Sequence, residues 1–239
     1  MPRITNHIAK VYPDKVPEDM SVILIGSMNY KMKSYGPKPL LKLNCGRTFI
    51  DYQIQTIQKI FPNAEIILCV GQDADRIVKN KPYKLKIVEN QRWEETNTTE
   101  YARLALNSCV NNRVVLIDSD LYFDTVILNQ IKNTKHSCLY YDDSGRLPPD
   151  EIGITIAQGY ATYFSFKHDT KWCHVAQFVN DDVTVLRNIL ADKNRRRYFL
   201  YESLNIFVEK RPLRVERSES KTLYRIETSR DLEKIKRET

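Results

Sequence analysis

The chain has 239 residues, of which 42% are hydrophobic and 28% are charged, so it is long enough for one α/β domain with a core of normal size. Its formal net charge of +7 favours anionic partners, but the basic residues lack the interleaved aromatics of a nucleic-acid-binding module. The composition therefore argues against sequence-specific nucleic-acid binding. The absence of any run near the roughly 18 apolar residues of a membrane span argues against a membrane protein. Five cysteines without C-x-x-C spacing, and an N-terminus without an apolar signal core, predict a cytoplasmic protein with reduced thiols.

Strands and helices alternate in the first half of the chain. Residues 1–20 contain three prolines and no hydrophobic period, and we interpret them as an extended N-terminal segment before a single domain at 21–239. The apolar run 22–25 predicts a buried strand, and Pro37-Lys38-Pro39 is expected to open a short second strand. Beyond a helix that begins at Thr48, the pattern predicts strands at 65–70 and 85–88 and a short helix at 73–79.

The second half continues this alternation less regularly. We predict helices at 98–110, 125–131, 183–190 and 198–208, strands at 113–117, 137–141, 152–157, 160–166 and 223–227, and a C-terminal helix capped by Ser229. Strand and helix at this spacing indicate βαβ crossovers. The sequence therefore predicts a Rossmann-like α/β domain whose mostly parallel, mixed central sheet is flanked by helices.

The strongest local signal for chemistry is Asp118-Ser119-Asp120, which directly follows the apolar strand at 113–117. In open α/β sheets, ligands bind beyond the carboxyl ends of the strands. Two carboxylates at that edge suit Mg²⁺, which takes few protein ligands and completes its shell with water and substrate phosphates. The alternative is structural, because an aspartate in this position also caps turns.

A second signal is the lysine-rich segment after the first strand, which contains Lys31, Lys33, Lys38 and Lys42. The flanking prolines restrict the backbone at Lys38 and thereby direct its ammonium group. A lysine held beside a metal-bound phosphate would neutralise charge that develops during phosphoryl or nucleotidyl transfer. The alternative is that all four lysines are solvated in an exposed loop.

Histidines and aromatic residues of the second half give weaker signals. His168, Cys173 and His174 match no standard zinc spacing, and we interpret their segment as a partly buried strand end. Four aromatic residues nearby would suit an acceptor pocket for a quaternary ammonium, or else belong to the core: Tyr160, Tyr163, Phe164 and Trp172.

Five motifs occur in a characteristic order along the chain. They are Pro-Lys-Pro-Leu-Leu-Lys-Leu, Phe-Ile-Asp-Tyr-Gln-Ile, Ile-Ile-Leu-Cys-Val-Gly, Val-Leu-Ile-Asp-Ser-Asp and Tyr-Arg-Ile-Glu-Thr-Ser-Arg-Asp-Leu, with Asn97 opening a helix between the third and the fourth. This arrangement resembles the nucleotidyltransferases that activate sugar 1-phosphates, and especially their compact branch similar to CTP:phosphocholine cytidylyltransferase. The resemblance covers about residues 21–236.

The resemblance implies a GT-A-type fold and an enzyme that needs Mg²⁺. Such an enzyme transfers NMP from an NTP to a small phosphorylated acceptor and releases pyrophosphate. By position in the motifs, the resemblance implies that Lys38 and Lys31 make catalytic contacts with phosphate, and Lys31 stands near the arginine of the family loop. It implies that Asp120 and Glu227 bind the metal. The positions implied to bind the nucleotide are Ile25, Gly26, Ser27, Gly71, Asn97 and Asp118.

The first loop departs from the family pattern of Gly-x-Gly-x-Arg. Gly26 matches the first glycine, but Met28 stands in place of the second and Tyr30 or Lys31 in place of the arginine. Because a side chain at a close-approach glycine keeps the backbone away from the phosphate, two further functions stay open. One is a protein that binds a nucleotide or nucleotide sugar without turnover. The other is a GT-A glycosyltransferase that uses Asp118-Ser119-Asp120. The sequence permits a homodimer for each of these functions.

Overall fold

The structure is a computed structural model that describes residues 19–26, 32–80, 85–145, 147–168 and 170–238. Nearly all of the N-terminal segment therefore lies outside the described residues, as do Ser27 and Lys31, which were predicted to contact the nucleotide. Among the residues that are described, no helix is both long and apolar enough to cross a membrane. The predicted α/β class, with a central sheet flanked by helices, is confirmed.

Within the described ranges, nine strands form the central sheet, in the order β3-β2-β1-β4-β9-β6-β10-β8-β7. Parallel pairing joins β1 to β2 and β4, β2 to β3, and β6 to β10, whereas β9 runs antiparallel to both β4 and β6. The sheet is thus parallel at one end and mixed at the other. The bounds are β1 Ser21–Ile25, β2 Glu65–Val70, β3 Lys86–Glu89, β4 Arg113–Asp118, β6 Cys138–Asp142, β7 Ile152–Ala157, β8 Tyr160–Phe166, β9 Lys171–Val179 and β10 Leu213–Arg217.

A two-stranded ribbon lies apart from this sheet. It pairs β5 (Leu121–Tyr122) with β11 (Tyr224–Arg225) in antiparallel orientation. The pairing places Arg225 opposite Leu121, so a segment from the end of the chain lies beside the turn that follows β4. This is the contact that brings distant charged residues into one site.

Helices cover the sheet, and the first, third and fourth of them begin after a residue whose side chain accepts a backbone hydrogen bond from the first turn, namely Thr48, Asn97 and Asp124. At the first helix, the Thr48 side chain accepts a hydrogen bond from the backbone N–H of Asp51, and the Asp51 carboxylate accepts one from the backbone N–H of Thr48. The helices are α1 Phe49–Ile60, α2 Ala74–Lys79, α3 Thr98–Ser108, α4 Thr125–Asn133, α5 Asp181–Leu190, α6 Leu200–Lys210 and α7 Ser229–Glu238.

Three local predictions were wrong. Pro37-Lys38-Pro39 does not open a strand but leads into a short 3₁₀ helix at Lys38–Leu40, because the fixed φ of proline also suits a first helical turn. Ser229 is the first residue of α7, and the cap is Thr228, whose N–H and hydroxyl both donate to Asp231. The strand predicted at 223–227 is limited to Tyr224–Arg225. The partly buried strand end predicted around Cys173 and His174 belongs to the nine-residue β9, and the segment of β10 was not predicted as a strand.

The core is divided by the sheet into two large apolar clusters, and a third, smaller cluster holds the C-terminal helix. In this third cluster, Leu232 and Ile235 of α7 pack with Leu41, Phe49 and Ile226. The segment that carries Lys38 is therefore anchored against the end of the chain. This packing fixes the relative positions of Lys38 and β11.

Gly26, the residue that follows β1, is tightly packed against residues of neighbouring elements. A Cβ atom at this position would lie 2.2 Å from the backbone oxygen of Cys69 and 3.1 Å from the ring of Tyr101. We expect Gly26→Ala to lower the free energy of unfolding by about 3 kcal/mol, because overpacking forces backbone shifts. Chemical denaturation measures this change. The control is Gly145→Ala, since nothing lies within 4 Å of a Cβ there; an equal loss in both variants would contradict the prediction.

Candidate functional site

A cavity of about 460 Å³ opens at the carboxyl end of β4. One part of its lining, the charged side, is an ion-paired cluster of Lys38, Asp120, Arg225 and Glu227. Another part, the aromatic wall, consists of Phe166, Phe199 and Tyr201 in mutual contact. The lining residues are Lys38, Thr96, Asn97, Thr98, Tyr101, Asp118, Asp120, Asp150, Ile152, Phe166, Trp172, His174, Phe199, Leu200, Tyr201, Arg225 and Glu227. This is the edge at which open α/β sheets bind ligands.

Lys38 and Asp120 form a buried ion pair on the charged side of the cavity. The Lys38 Nζ lies 2.7 Å from Asp120 Oδ2, and the two side chains are 10% and 1% exposed. The cavity-facing lysine is positioned by Pro37 and Pro39, both of which are buried. Lys38 is therefore not a solvated loop residue, and its ammonium is held at a defined place beside the turn after β4.

The turn that carries Asp118 and Asp120 is fixed by hydrogen bonds from three directions. The Nε2 of Gln53, a buried residue of α1, donates to the carbonyls of Ser119 at 3.2 Å and Leu121 at 2.9 Å. The N–H of Ser119 donates to the carbonyl of Ile25, and the N–H of Ile226 donates to the carbonyl of Asp120. These contacts keep the two carboxylates in place when ligands bind.

Arg225 connects Asp120 to Glu227. Its Nε and Nη2 each lie 3.5 Å from an oxygen of Asp120, and its Nη1 lies 3.0 Å from Glu227 Oε1. Burial alone would raise the pKa of Asp120, but the Arg225 and Lys38 cations outweigh burial and hold this pKa below its usual range. Asp120 is therefore ionised at neutral pH although it is almost completely buried.

His174 forms a second charged group deeper in the same cavity. Its Nδ1 lies 2.9 Å from Asp118 Oδ2, and its Nε2 lies 3.4 Å from Glu151 Oε2. The residue has a φ of 57°, next to a register shift between β6 and β9, so a bulge turns the imidazole into the cavity. The Trp172 ring stacks on the imidazole with 4.7 Å between centroids.

The charge of His174 makes stability depend on pH. Burial and Arg225 lower the pKa of His174, but Asp118 and Glu151 outweigh them and raise this pKa above its ordinary value. Stability from the imidazolium is therefore fully present below the ordinary pKa of about 6.5 and is lost as pH rises through the folded-state pKa. Urea denaturation is expected to show a larger stability difference between wild type and His174→Gln at pH 6 than at pH 9. A stability difference that grows toward pH 9 would contradict the assignment.

The donor chemistry of Asp120 and Glu227 fits Mg²⁺. Within the described ranges, no three His, Cys, Asp or Glu side chains are grouped so that they could hold a metal ion. A pair of carboxylates is nevertheless sufficient for Mg²⁺, which commonly takes one or two of them together with substrate phosphates and water. Both carboxylates contact the same guanidinium, so they converge on one cationic position.

The comparisons with known proteins agree with this arrangement at the level of the fold. No protein-family model matches the sequence, and no curated protein matches it. Among solved structures, the CTP:phosphocholine cytidylyltransferase from Streptococcus pneumoniae superposes with a TM-score of 0.71 at 17% identity, over 92% of this chain and 98% of its own. The chain has the nucleotidyltransferase fold.

Two other solved structures with related chemistry share this fold. The inositol-1-phosphate CTP transferase from T. maritima has a TM-score of 0.72 at 14% identity, over 93% of this chain and 95% of its own. The nucleoside-diphosphate-sugar pyrophosphorylase from Vibrio cholerae RC9 has a TM-score of 0.71 at 14% identity, over 91% of this chain and 100% of its own. The resemblance inferred from the five ordered motifs is thus confirmed for the fold.

Within the nucleotidyltransferase fold, the described site residues that were predicted lie in three places. Five of them line the large cavity: Lys38, Asn97, Asp118, Asp120 and Glu227. Gly26 and Gly71 line a recess of about 30 Å³ that also reaches Lys38. Ile25 lies in the core at the end of β1, where it is 1% exposed and lines neither cavity.

Four residues of the site were not predicted from the sequence: Gln53, Glu151, His174 and Arg225. The sequence assigns Gln53 no role within the helix that begins at Thr48, and it places His174 in a partly buried strand end without a standard zinc spacing. Arg225 gives no local signal, since its partner Asp120 lies 105 residues away in the chain. Of the four aromatic residues considered for an acceptor pocket, Trp172 lines the cavity, whereas Phe164 is a core residue.

Proposed function

We propose that this protein is a Mg²⁺-dependent nucleotidyltransferase. It transfers NMP from an NTP to a small phosphorylated acceptor and releases pyrophosphate. The observation that carries the proposal is the cluster of Lys38, Asp120, Arg225 and Glu227 at one wall of the large cavity, at the ligand-binding edge of the sheet. The shared fold supports the same reaction class.

The reaction needs positioning and positive charge more than acid or base chemistry. An oxygen of the acceptor phosphate attacks the α-phosphorus, a new P–O bond forms there, and the bond to the β-phosphate breaks with its electrons leaving on pyrophosphate. Both reactants are anions, so cations must offset their repulsion. Lys38 and Arg225 supply two such cations from the protein.

Asp120 and Glu227 would hold Mg²⁺, which offsets charge on the phosphates and aligns them when bound. The role of Lys38 in the reaction is to donate a charge-assisted hydrogen bond to a phosphate oxygen. Asp118 keeps the His174 imidazolium in position, and His174 in turn presents the Trp172 ring to the cavity. In this way the chain holds both walls of the cavity rigidly around the reacting groups.

The acceptor is proposed to bind against the aromatic wall. Tyr201 is at its centre, because its ring stacks on Phe199 at 5.8 Å between centroids and meets Phe166 edge-on at 5.9 Å. Phe166 and Phe199 are 45% and 48% exposed, so their faces are available to a ligand. Such a wall suits the organic part of a phosphorylated alcohol or sugar, and its π faces attract a quaternary ammonium.

Pyrophosphate release tests the proposal. Each of the four NTPs is mixed with Mg²⁺ and one phosphorylated acceptor, namely phosphocholine, inositol 1-phosphate or glucose 1-phosphate. We expect one combination to release pyrophosphate and to form a product whose mass equals acceptor plus NMP minus water. Addition of EDTA should stop the release. Circular dichroism checks that the protein is folded. If the folded protein releases pyrophosphate with none of these combinations of NTP and acceptor, the proposal is contradicted.

A second candidate function is nucleotide binding without turnover. It is favoured by the engagement of both candidate metal ligands by Arg225. A thermal-shift screen of NTPs and nucleotide sugars separates the two functions, since a ligand that binds the native state raises the melting temperature. Stabilisation without pyrophosphate would support the binding protein, and cleavage of an intact nucleotide sugar would support a GT-A glycosyltransferase.

A further inference from the structure

The guanidinium of Arg225 lies between the two carboxylates that the proposed function assigns to the metal. It contacts Asp120 through Nε and Nη2, both at 3.5 Å, and Glu227 through Nη1 at 3.0 Å. These oxygens are the ones that Mg²⁺ would need at about 2.0–2.1 Å. The protein thus keeps a cation of its own at the place where the carboxylates converge.

The four side chains that contact one another at this position carry balanced charges, and the neighbouring Asp118 and Glu151 carboxylates are offset in part by the His174 imidazolium. Asp120 and Glu227 contribute two negative charges, and Lys38 and Arg225 contribute two positive ones. An arginine side chain stays protonated in proteins, so this balance does not relax by loss of a proton. A divalent ion that entered alone would meet two cations in a site with little solvent to screen them.

A nucleoside triphosphate changes this balance. Its phosphates bring several negative charges into the cavity, and phosphate oxygens match the fork of a guanidinium as well as a carboxylate does. Arg225 lines the cavity and is 19% exposed, so its guanidinium is accessible to such a ligand. Once Arg225 contacts phosphate, the oxygens of Asp120 and Glu227 become available to the metal.

The position of Arg225 in the fold suits this role. Arg225 and Glu227 are two residues apart, and in an extended segment such side chains point to the same face. The pairing of β11 with β5 holds the Arg225 backbone opposite Leu121, next to Asp120 in sequence. The backbone is therefore fixed while the long side chain can exchange one anionic partner for another.

We propose that Arg225 is the resident counter-ion of the Asp120 and Glu227 pair, and that it makes divalent-metal binding there depend on a bound nucleoside triphosphate. The inference rests on the proposed function, because that function identifies the pair as the metal site. It assigns Arg225 a second task, which is to exclude the metal from the nucleotide-free protein.

Titration of the nucleotide-free protein with Mn²⁺, followed by the electron paramagnetic resonance signal of the free ion, tests this inference. We expect Arg225→Gln to bind Mn²⁺ at least tenfold more tightly than wild type, and Mg²⁺ to displace it. The double variant Arg225→Gln, Glu227→Gln should lose this gain, since one ligand is removed. The matched control is Arg217→Gln, whose guanidinium pairs with Asp143 at the surface, and it should keep the wild-type affinity.

Equal Mn²⁺ affinity of wild type and a folded Arg225→Gln would overturn the inference. If that variant does not fold, Arg225→Lys replaces it, because one ammonium cannot contact both carboxylates as the fork does. Its Mn²⁺ affinity should lie above that of wild type, and an unchanged value would again refute the role of Arg225. None of these titrations depends on turnover. A gain in affinity without pyrophosphate release would thus contradict the proposed function alone, and release without the gain would contradict this inference alone.

Discussion

Asp120→Asn is expected to abolish pyrophosphate release and to destabilise the protein. The variant removes the charge that Lys38 and Arg225 both contact, and it leaves two cations facing each other in a nearly buried site. Breaking a buried ion pair by removing one partner costs about 3–5 kcal/mol, and we expect urea denaturation to show a loss near the lower end of this range. Turnover should fall by at least about 10³-fold, since a ligand for the phosphate-bound metal is also lost.

Asp143→Asn is the matched control for this variant. Asp143 also pairs with an arginine, but the Arg217 and Asp143 side chains are 63% and 44% exposed. Exposed ion pairs contribute little, so the free energy of unfolding should change by less than about 0.5 kcal/mol. If Asp143→Asn were as damaging as Asp120→Asn, or if Asp120→Asn kept wild-type stability, the buried charge cluster would not stabilise the fold.

Lys38→Met is expected to remove most of the activity while the fold persists. Asp120 keeps Arg225 as a partner in this variant, so the loss of stability should be smaller than in Asp120→Asn. Removing one preorganised donor to a developing charge costs about 10²–10³ in rate, and the loss should appear in kcat more than in KM. Steady-state kinetics of pyrophosphate release provide the measurement.

The control for Lys38→Met lies four residues further along the same segment. Lys42 is exposed, and its replacement by methionine removes the same charge without touching the cavity lining. Activity of Lys42→Met should therefore remain within about threefold of wild type. Activity of Lys38→Met within the same range would show that the buried ammonium does not contact the reacting phosphates.

Much of the parallel half of the sheet could be predicted from the sequence. Apolar runs bounded by glycine or aspartate correspond to β1, β2 and β4, and a helical period corresponds to α1. These patterns are local, because burial on both faces requires a continuous apolar run and burial on one face requires a period of 3.6 residues. For the same reason, the position of Asp118 and Asp120 at the end of β4 could be predicted.

The antiparallel half could be predicted only in part: β6, β7 and β8 correspond to strands predicted from the sequence, whereas most of β9 and all of β10 do not. The nine residues of β9 lie between β4 and β6 in the sheet, yet they mix histidine, cysteine and glutamine with apolar residues and carry no turn signal. Their strand conformation comes from pairing on both sides with segments that lie 29 to 66 residues away in the chain. Such long-range pairing leaves no periodic trace in the sequence.

The sequence by itself determined which residue types are available for the reaction and which strand end carries the carboxylates. Only the tertiary structure decided which charges meet. Lys38 and Asp120 are 82 residues apart in the chain, and Arg225 follows Asp120 by 105 residues. Their contact depends on the α7 packing and on the β5–β11 ribbon, which bring the end of the chain to the turn after β4. Electrostatic interactions act through space, so an arginine that looks incidental in the sequence becomes the counter-ion of the candidate metal site.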